Sequence, residues 1–212
     1  VNDAPSFDPG ADITEYEHDL VHSYPGWATN MVVGPSNESA QTYEFILTHD
    51  NPGLFDIAPA VATDGTLSFT LNNQVSGVAH VKVTMKDSGD TLNGGKDTST
   101  TYDFVITVLD VNDAPSFTIG PNQTVDEDSG SKTVTNWATN IYPGGADETD
   151  QILTFNVTKN DNEALFSSQP TINSQGTLTF IPAANRYGVA NIEITLSDNG
   201  GTANNGADTS AP

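Results

Sequence analysis

Apolar residues along this 212-residue chain recur at every second position in short runs. Tyr43, Phe45 and Leu47 alternate with polar neighbours. Val81, Val83 and Met85 do the same against His80, Lys82, Thr84 and Lys86, and Tyr102, Phe104, Ile106 and Val108 form another such face. A period of two sends alternate side chains to one side, which is the mark of a half-buried strand. Turn signals separate the runs: Asn51-Pro52-Gly53, Asp64-Gly65 and Asn93-Gly94. Antiparallel strands joined by tight connections are the expected result. No stretch carries the 3.6-residue period of a helix, so the pattern predicts an all-β chain.

The pattern is also written twice. Val1-Asn2-Asp3-Ala4-Pro5-Ser6-Phe7 returns as Val111 to Phe117, and Trp27-Ala28-Thr29-Asn30 as Trp137-Ala138-Thr139-Asn140. Asp64-Gly65-Thr66-Leu67-Ser68-Phe69 returns as Gln175-Gly176-Thr177-Leu178-Thr179-Phe180, with one extra residue expected between, near Asn160 to Glu163. Leu153, Phe155 and Val157, then Ile192, Ile194 and Leu196, repeat the first copy's apolar faces. Two copies of one fold follow: domains 1–110 and 111–212, each a Greek-key β-sandwich of about seven strands. Trp27 and Trp137 share a register and are expected in the cores, packed against Phe45 and Phe155.

The second copy stops early. Ser210-Ala211-Pro212 corresponds to Ser99-Thr100-Thr101, just before the strand Tyr102 to Val108. The last strand of the second domain is therefore missing, as in a fragment cut from a longer array. One sheet of that domain should end on an open edge, with 199–212 irregular. Ile192, Ile194 and Leu196 should then be less covered than Val81, Val83 and Met85.

Charge narrows the function. There are 28 acidic and 6 basic residues, a formal net charge of −22. Nucleic acid and anionic membranes repel such a surface, so neither is expected as a direct partner. The regular apolar alternation argues against disorder, leaving a folded acidic surface that attracts cations. Cysteine is absent, which excludes disulfides and thiolate metal sites. No apolar run reaches the roughly 18–20 residues of a membrane span.

Between the copies lies Asp110-Val111-Asn112-Asp113-Ala114-Pro115-Ser116-Phe117. Pro115 stiffens it and biases Ala114 to extended backbone, while two Asp and one Asn offer the hard oxygen ligands that calcium prefers. These words resemble the linker of cadherin repeats, and more narrowly the bacterial cadherin-like repeats of large surface and secreted adhesins. The resemblance covers one whole repeat and most of a second. It implies cadherin/immunoglobulin-like sandwiches with calcium held between successive domains. The ligands it implies here are Glu17 from the first strand (with Glu127 its counterpart), then Asp110, the carbonyl of Asn112 and Asp113 from the linker. From two loops of the second domain come Asp147 or Glu148, and Asp198. Carboxylates about 4–5 Å apart repel by roughly 3–4 kcal/mol at an effective dielectric of about 20, and a divalent ion reverses that. The family's Asp-Arg-Glu motif is replaced by Asn72-Asn73-Gln74 and Ala184-Asn185-Arg186, so one or two ions per junction are expected rather than three.

The four histidines, His18, His22, His49 and His80, all lie in the first copy. They read as scattered polar-face residues rather than a zinc site. No nucleophile elbow, phosphate loop or His-Glu-x-x-His motif is present, and an enzyme is not expected. The expected function is a calcium-stiffened spacer repeat of an extracellular or cell-surface bacterial adhesin, its partners the neighbouring repeats of the same polypeptide. The alternative is a module that binds polysaccharide or another repeat directly. Exposed aromatics would favour the alternative, and buried ones the spacer.

Overall fold

Residues 1–212 are described by a computed structural model, which resolves into two units, Val1–Asp110 and Val111–Pro212. In unit 1 the alternating runs become two sheets. One joins β2 (Ile13–Tyr16), β9 (Tyr102–Leu109), β8 (Gly77–Asp87) and β5 (Tyr43–His49) in that order. The other joins β3 (Val21–Tyr24), β7 (Leu67–Leu71) and β6 (Phe55–Val61), while β1 (Ser6–Asp8) pairs β4 (Thr29–Val32). Breaks split the first and second strands of a seven-stranded sandwich into β1/β2 and β3/β4. All pairings are antiparallel except β2 with β9, which run parallel from Ile13 opposite Ile106 to Tyr16 opposite Leu109.

The inward positions carry the core. Val81, Val83 and Met85 on β8 are wholly buried, as are Leu67 and Leu71 on β7 and Ile106 on β9. Each such side chain contributes about 1.5–3 kcal/mol through burial. Trp27 is buried, as expected, but its partner is not Phe45: it packs on Phe104, ring centroids 4.4 Å apart. Phe45 is met edge-on by Phe7 at 5.0 Å, and Phe155 in unit 2 is met identically by Phe117. Trp27 lies in the break between β3 and β4, out of the strand register from which its neighbour was inferred.

The repeated words have local causes. The N–H of Ala28 donates to Gly65 O, and that of Ala138 to Gly176 O, both at 2.9 Å. Gly65 and Gly176 have φ of +84° and +78°, and a Cβ on either would stand 2.1 Å from the alanine carbonyl oxygen. Only glycine permits that approach. Asn30 and Asn140 sit in the left-handed region, with φ of 50° and 49°. Their side-chain amides donate to Asp8 and Thr118 on the first strand of each unit.

Unit 2 repeats the plan with fewer strands: β10 (Ser116–Thr118), β11 (Lys132–Val134), β12 (Thr139–Tyr142), β13 (Thr154–Asn160), β14 (Phe166–Ile172), β15 (Leu178–Pro182) and β16 (Ile192–Ser197). Their sheets are β11-β15-β14, β13-β16 and β10-β12. No strand corresponds to β2, whose only partner in unit 1 is β9; without a β9 counterpart the stretch from 121 to 131 has nothing to pair with. For the same reason β16 has six residues where β8 has eleven. Ile192 is half-buried and Ile194 6% exposed, against 0% for Val81 and Val83. Leu196 departs from the expectation, being fully buried. Its N–H donates to the hydroxyl of Ser210, whose own N–H returns to the Leu196 carbonyl, so the chain itself covers that end. Residues 199–212 are otherwise irregular, with one turn of 3-10 helix at Ala203–Asn205. The extra residue of the second copy is Thr158, a bulge between Val157 and Lys159, slightly earlier than expected. Bulges are how antiparallel pairs absorb one residue without losing register beyond it.

Candidate metal centre

At the leading end of unit 2 the linker residues are pinned by their own unit. Asn112 is buried; its side-chain amide donates to Asp198 Oδ1 (3.0 Å) and to the Ala207 carbonyl (2.7 Å). Its Oδ1 accepts from Gln151 Nε2 at 2.6 Å, and its carbonyl accepts the Ala207 N–H at 2.8 Å. The Asp113 N–H donates to Glu148 Oε1 at 2.7 Å, while Glu148 Oε2 accepts the Gly145 N–H at 2.5 Å. Glu148 is 4% exposed, and its neighbour Asp147 is exposed. Gly200 lies against this knot: a Cβ there would fall 1.6 Å from Asn112 Oδ1.

Asp198 follows β16 and spends one oxygen on the knot, accepting also the Gly200 N–H at 2.9 Å. Its Oδ2 is buried and accepts no hydrogen bond; the same holds for Gln151 Oε1. An unsatisfied buried acceptor costs about 1–3 kcal/mol, more when it is charged. The donors around the knot are all oxygen, the set that calcium takes. The residues therefore fit a hard divalent cation.

Unit 1 builds the same knot at its own leading end. Asn2 donates to Asp87 Oδ1 (3.0 Å) and the Lys96 carbonyl (2.7 Å), and accepts from Gln41. The Asp3 N–H donates to Glu38, and Asp87 Oδ2 is again buried without a partner. Sequence reasoning singled out neither the Asn112 side chain nor Gln151, Glu38 and Gln41. The signal was available: Asn2, Asp3, Glu38 and Gln41 recur at the spacing of the linker as Asn112, Asp113, Glu148 and Gln151.

The remaining expected ligands belong to unit 1. Glu17 follows β2, is 1% exposed, and its N–H donates to the Leu109 carbonyl at 3.2 Å, extending the parallel pairing by one residue. Its carboxylate lies 3.9 Å from His18 Nε2. Asp110, directly after β9, is exposed, and so is Glu127 in unit 2. Among the histidines, His22 is not a polar-face residue. It is 6% exposed and packs against Phe69 at 4.9 Å, because β3 turns it inward opposite β7.

No protein-family model matches the chain, and no curated protein matches it. Solved structures do match. Human Protocadherin-24 EC1-2 (form II) superposes with a TM-score of 0.50 at 17% identity, covering 100% of this chain and 96% of that one. Mouse Protocadherin-24 EC1-3 gives 0.49 at 14% identity, covering 97% and 67%. Chicken VE-cadherin EC1-2 gives 0.32 at 18% identity, covering 88% and 87%. The likeness to the first is one of fold: this chain is a tandem of cadherin-like β-sandwiches.

Proposed function

We propose that the chain is a pair of calcium-stiffened spacer repeats from an extracellular bacterial adhesin, serving to hold an adhesive domain away from the cell. Each unit offers its own candidate ligands: Glu17 and Asp110 in unit 1, and Asp113, Asp147, Glu148, Asp198 and the carbonyl of Asn112 in unit 2. Asp198 carries this reading: a buried carboxylate oxygen without a hydrogen bond, beside a linker pinned in place, asks for a cation. Calcium, when bound, turns the mutual repulsion of the carboxylates into attraction. The chain's own residues orient the ligands: Asn112 aims Asp198, and Glu148 fixes the backbone of Asp113. The cadherin-like fold and the net charge of −22 support an extracellular, calcium-rich setting. No helix is long and apolar enough to cross a membrane. Both indoles are buried, which supports a spacer over a sugar-binding face, whereas Tyr187, 90% exposed on the loop before β16, is the aromatic that a sugar-binding reading would use.

Calorimetric titration tests this. Extracellular calcium modules bind at about 10⁻⁴–10⁻³ M. With calcium at roughly ten to a hundred times the dissociation constant, one site adds about 1.4–2.7 kcal/mol of stability. Asp113→Ala and Asp198→Asn should each remove most of the calcium-dependent rise in melting temperature. A chelator that leaves the wild-type melting temperature unchanged refutes the site. A glycan screen with calcium present should be blank; a hit would restore the polysaccharide reading.

A further inference from the structure

The bend between β2 and β3 of unit 1 gathers Glu15, Asp19 and His22, with one ligand atom of each within 4.8 Å of the others. Glu15 and Asp19 are open to solvent in part, and His22 is 6% exposed. The His22 Nε2 atom lies 2.5 Å from the Asp19 carbonyl oxygen. A carbonyl only accepts, so the ring proton is on Nε2 and the lone pair on Nδ1. That lone pair faces Glu15 Oε1 at 3.9 Å and the Tyr24 hydroxyl at 3.3 Å. The Tyr24 hydrogen is committed elsewhere, to Glu15 Oε1 at 2.5 Å. The Tyr24 hydroxyl has no second hydrogen to give Nδ1. Phe69 and Tyr24 hold the ring, with centroids 4.9 and 6.1 Å away.

We propose that Glu15, Asp19 and His22 Nδ1 form a zinc site on unit 1, with a position left open to water. A mixed nitrogen and carboxylate set suits Zn²⁺, whereas calcium takes oxygen ligands. Zinc bonds of about 2.0–2.2 Å need ligand atoms roughly 3.3–3.6 Å apart, so the 3.9 Å gap between His22 and Glu15 closes by a few tenths of an ångström. A metal-bound histidine characteristically donates its other N–H to a backbone carbonyl or carboxylate, fixing tautomer and ring orientation. The Asp19 carbonyl already performs that task. Unit 2 is the internal contrast. At the repeat spacing, Glu15, Asp19, His22 and Tyr24 become Val125, Ser129, Lys132 and Val134. Lys132 stands opposite Phe180 in the register that sets His22 opposite Phe69. A fixed positive charge occupies there the place where unit 1 would hold a cation through His22. The site is independent of calcium at the linker.

The test is Zn²⁺ titration of the whole chain by calorimetry, with calcium in excess to occupy carboxylate-only sites. One zinc per chain is expected, with the largest nitrogen shift in the NMR spectrum at His22 Nδ1. His22→Lys and Glu15→Val, the residues that the second copy carries, should weaken binding by more than about a hundred-fold, the upper end of what losing an outer-shell partner costs. Absence of zinc uptake by the wild type overturns the proposal. So does undiminished uptake by folded His22→Lys, or a zinc-induced shift at His18, His49 or His80 with none at His22.

Discussion

Asp50 and Asp161 hold one post in the two units, at the end of the strand pair β5/β8 and its copy β13/β16. Asp50 accepts the His80 N–H at 2.8 Å and faces His80 Nδ1 at 2.9 Å; Asp161 accepts both the N–H and the side-chain amide of Asn191 at 2.7 Å. The backbone bond from His80, then its side chain, hold the Asp50 carboxyl below the usual carboxylate range. For Asp161 the Asn191 side chain leads and its backbone follows. A carboxyl lowered by folding stabilises above its unfolded pKa, and that contribution is lost as pH falls through the lowered value. Asp50→Asn should therefore lower unit 1 stability at neutral pH and flatten its acid arm, the variant and wild-type curves converging as pH falls through the lowered value. Urea midpoints measured against pH check this; parallel curves for variant and wild type would refute it. Single residues were legible in the sequence as far as register carried them. Val81, Val83 and Met85 lie where alternation put them, while Trp27 found Phe104 because a break between strands lies outside the period of two. His22 read as polar by type, yet a polar ring was free to face inward once the Asp19 carbonyl met its Nε2.

Strands were legible from alternation and turns, but strand pairing depends on what the neighbour is. The stretch around Gln123 to Asp126 shows this best. Its counterpart in the first copy is β2, yet it forms no strand, because β2 owes its pairing wholly to β9. The open side of β16 is the matching loss: its backbone groups and part of Ile192 lack the cover that β9 gives β8. Unpaired edges are templates for strand addition. Extending the chain by a strand patterned on Thr101 to Leu109 should slow amide exchange across β16 and induce protection near Gln123 to Asp126. It should also suppress any dimer that the 212-residue chain forms. Equal protection of β8 and β16 in the unextended monomer would contradict this. The site was legible at this scale only in part. The linker carboxylates announced themselves by type, whereas the Asn112 and Gln151 knot is visible only when the two copies are laid over one another.

Across the whole molecule the two copies differ less in plan than in how their ends are tied. The excess of acidic groups, a formal −22, loads every unit with self-repulsion that cations relieve. In unit 1 the first long sheet strand, β2, and the last, β9, lie side by side and parallel, paired over Ile13–Tyr16 and again at Glu17. A tether pulled at its two ends draws β2 and β9 in opposite directions along their length. The rungs between them then bear load together, in shear, instead of parting one after another as in an opened zip. Unit 2 has no such clasp. Stretched in an atomic-force microscope, this chain should give one high-force rupture from unit 1, preceded by an easy extension from unit 2. Gly or Pro substituted at Thr14 should erase the high peak; two ruptures of equal force would show that the clasp bears no special load.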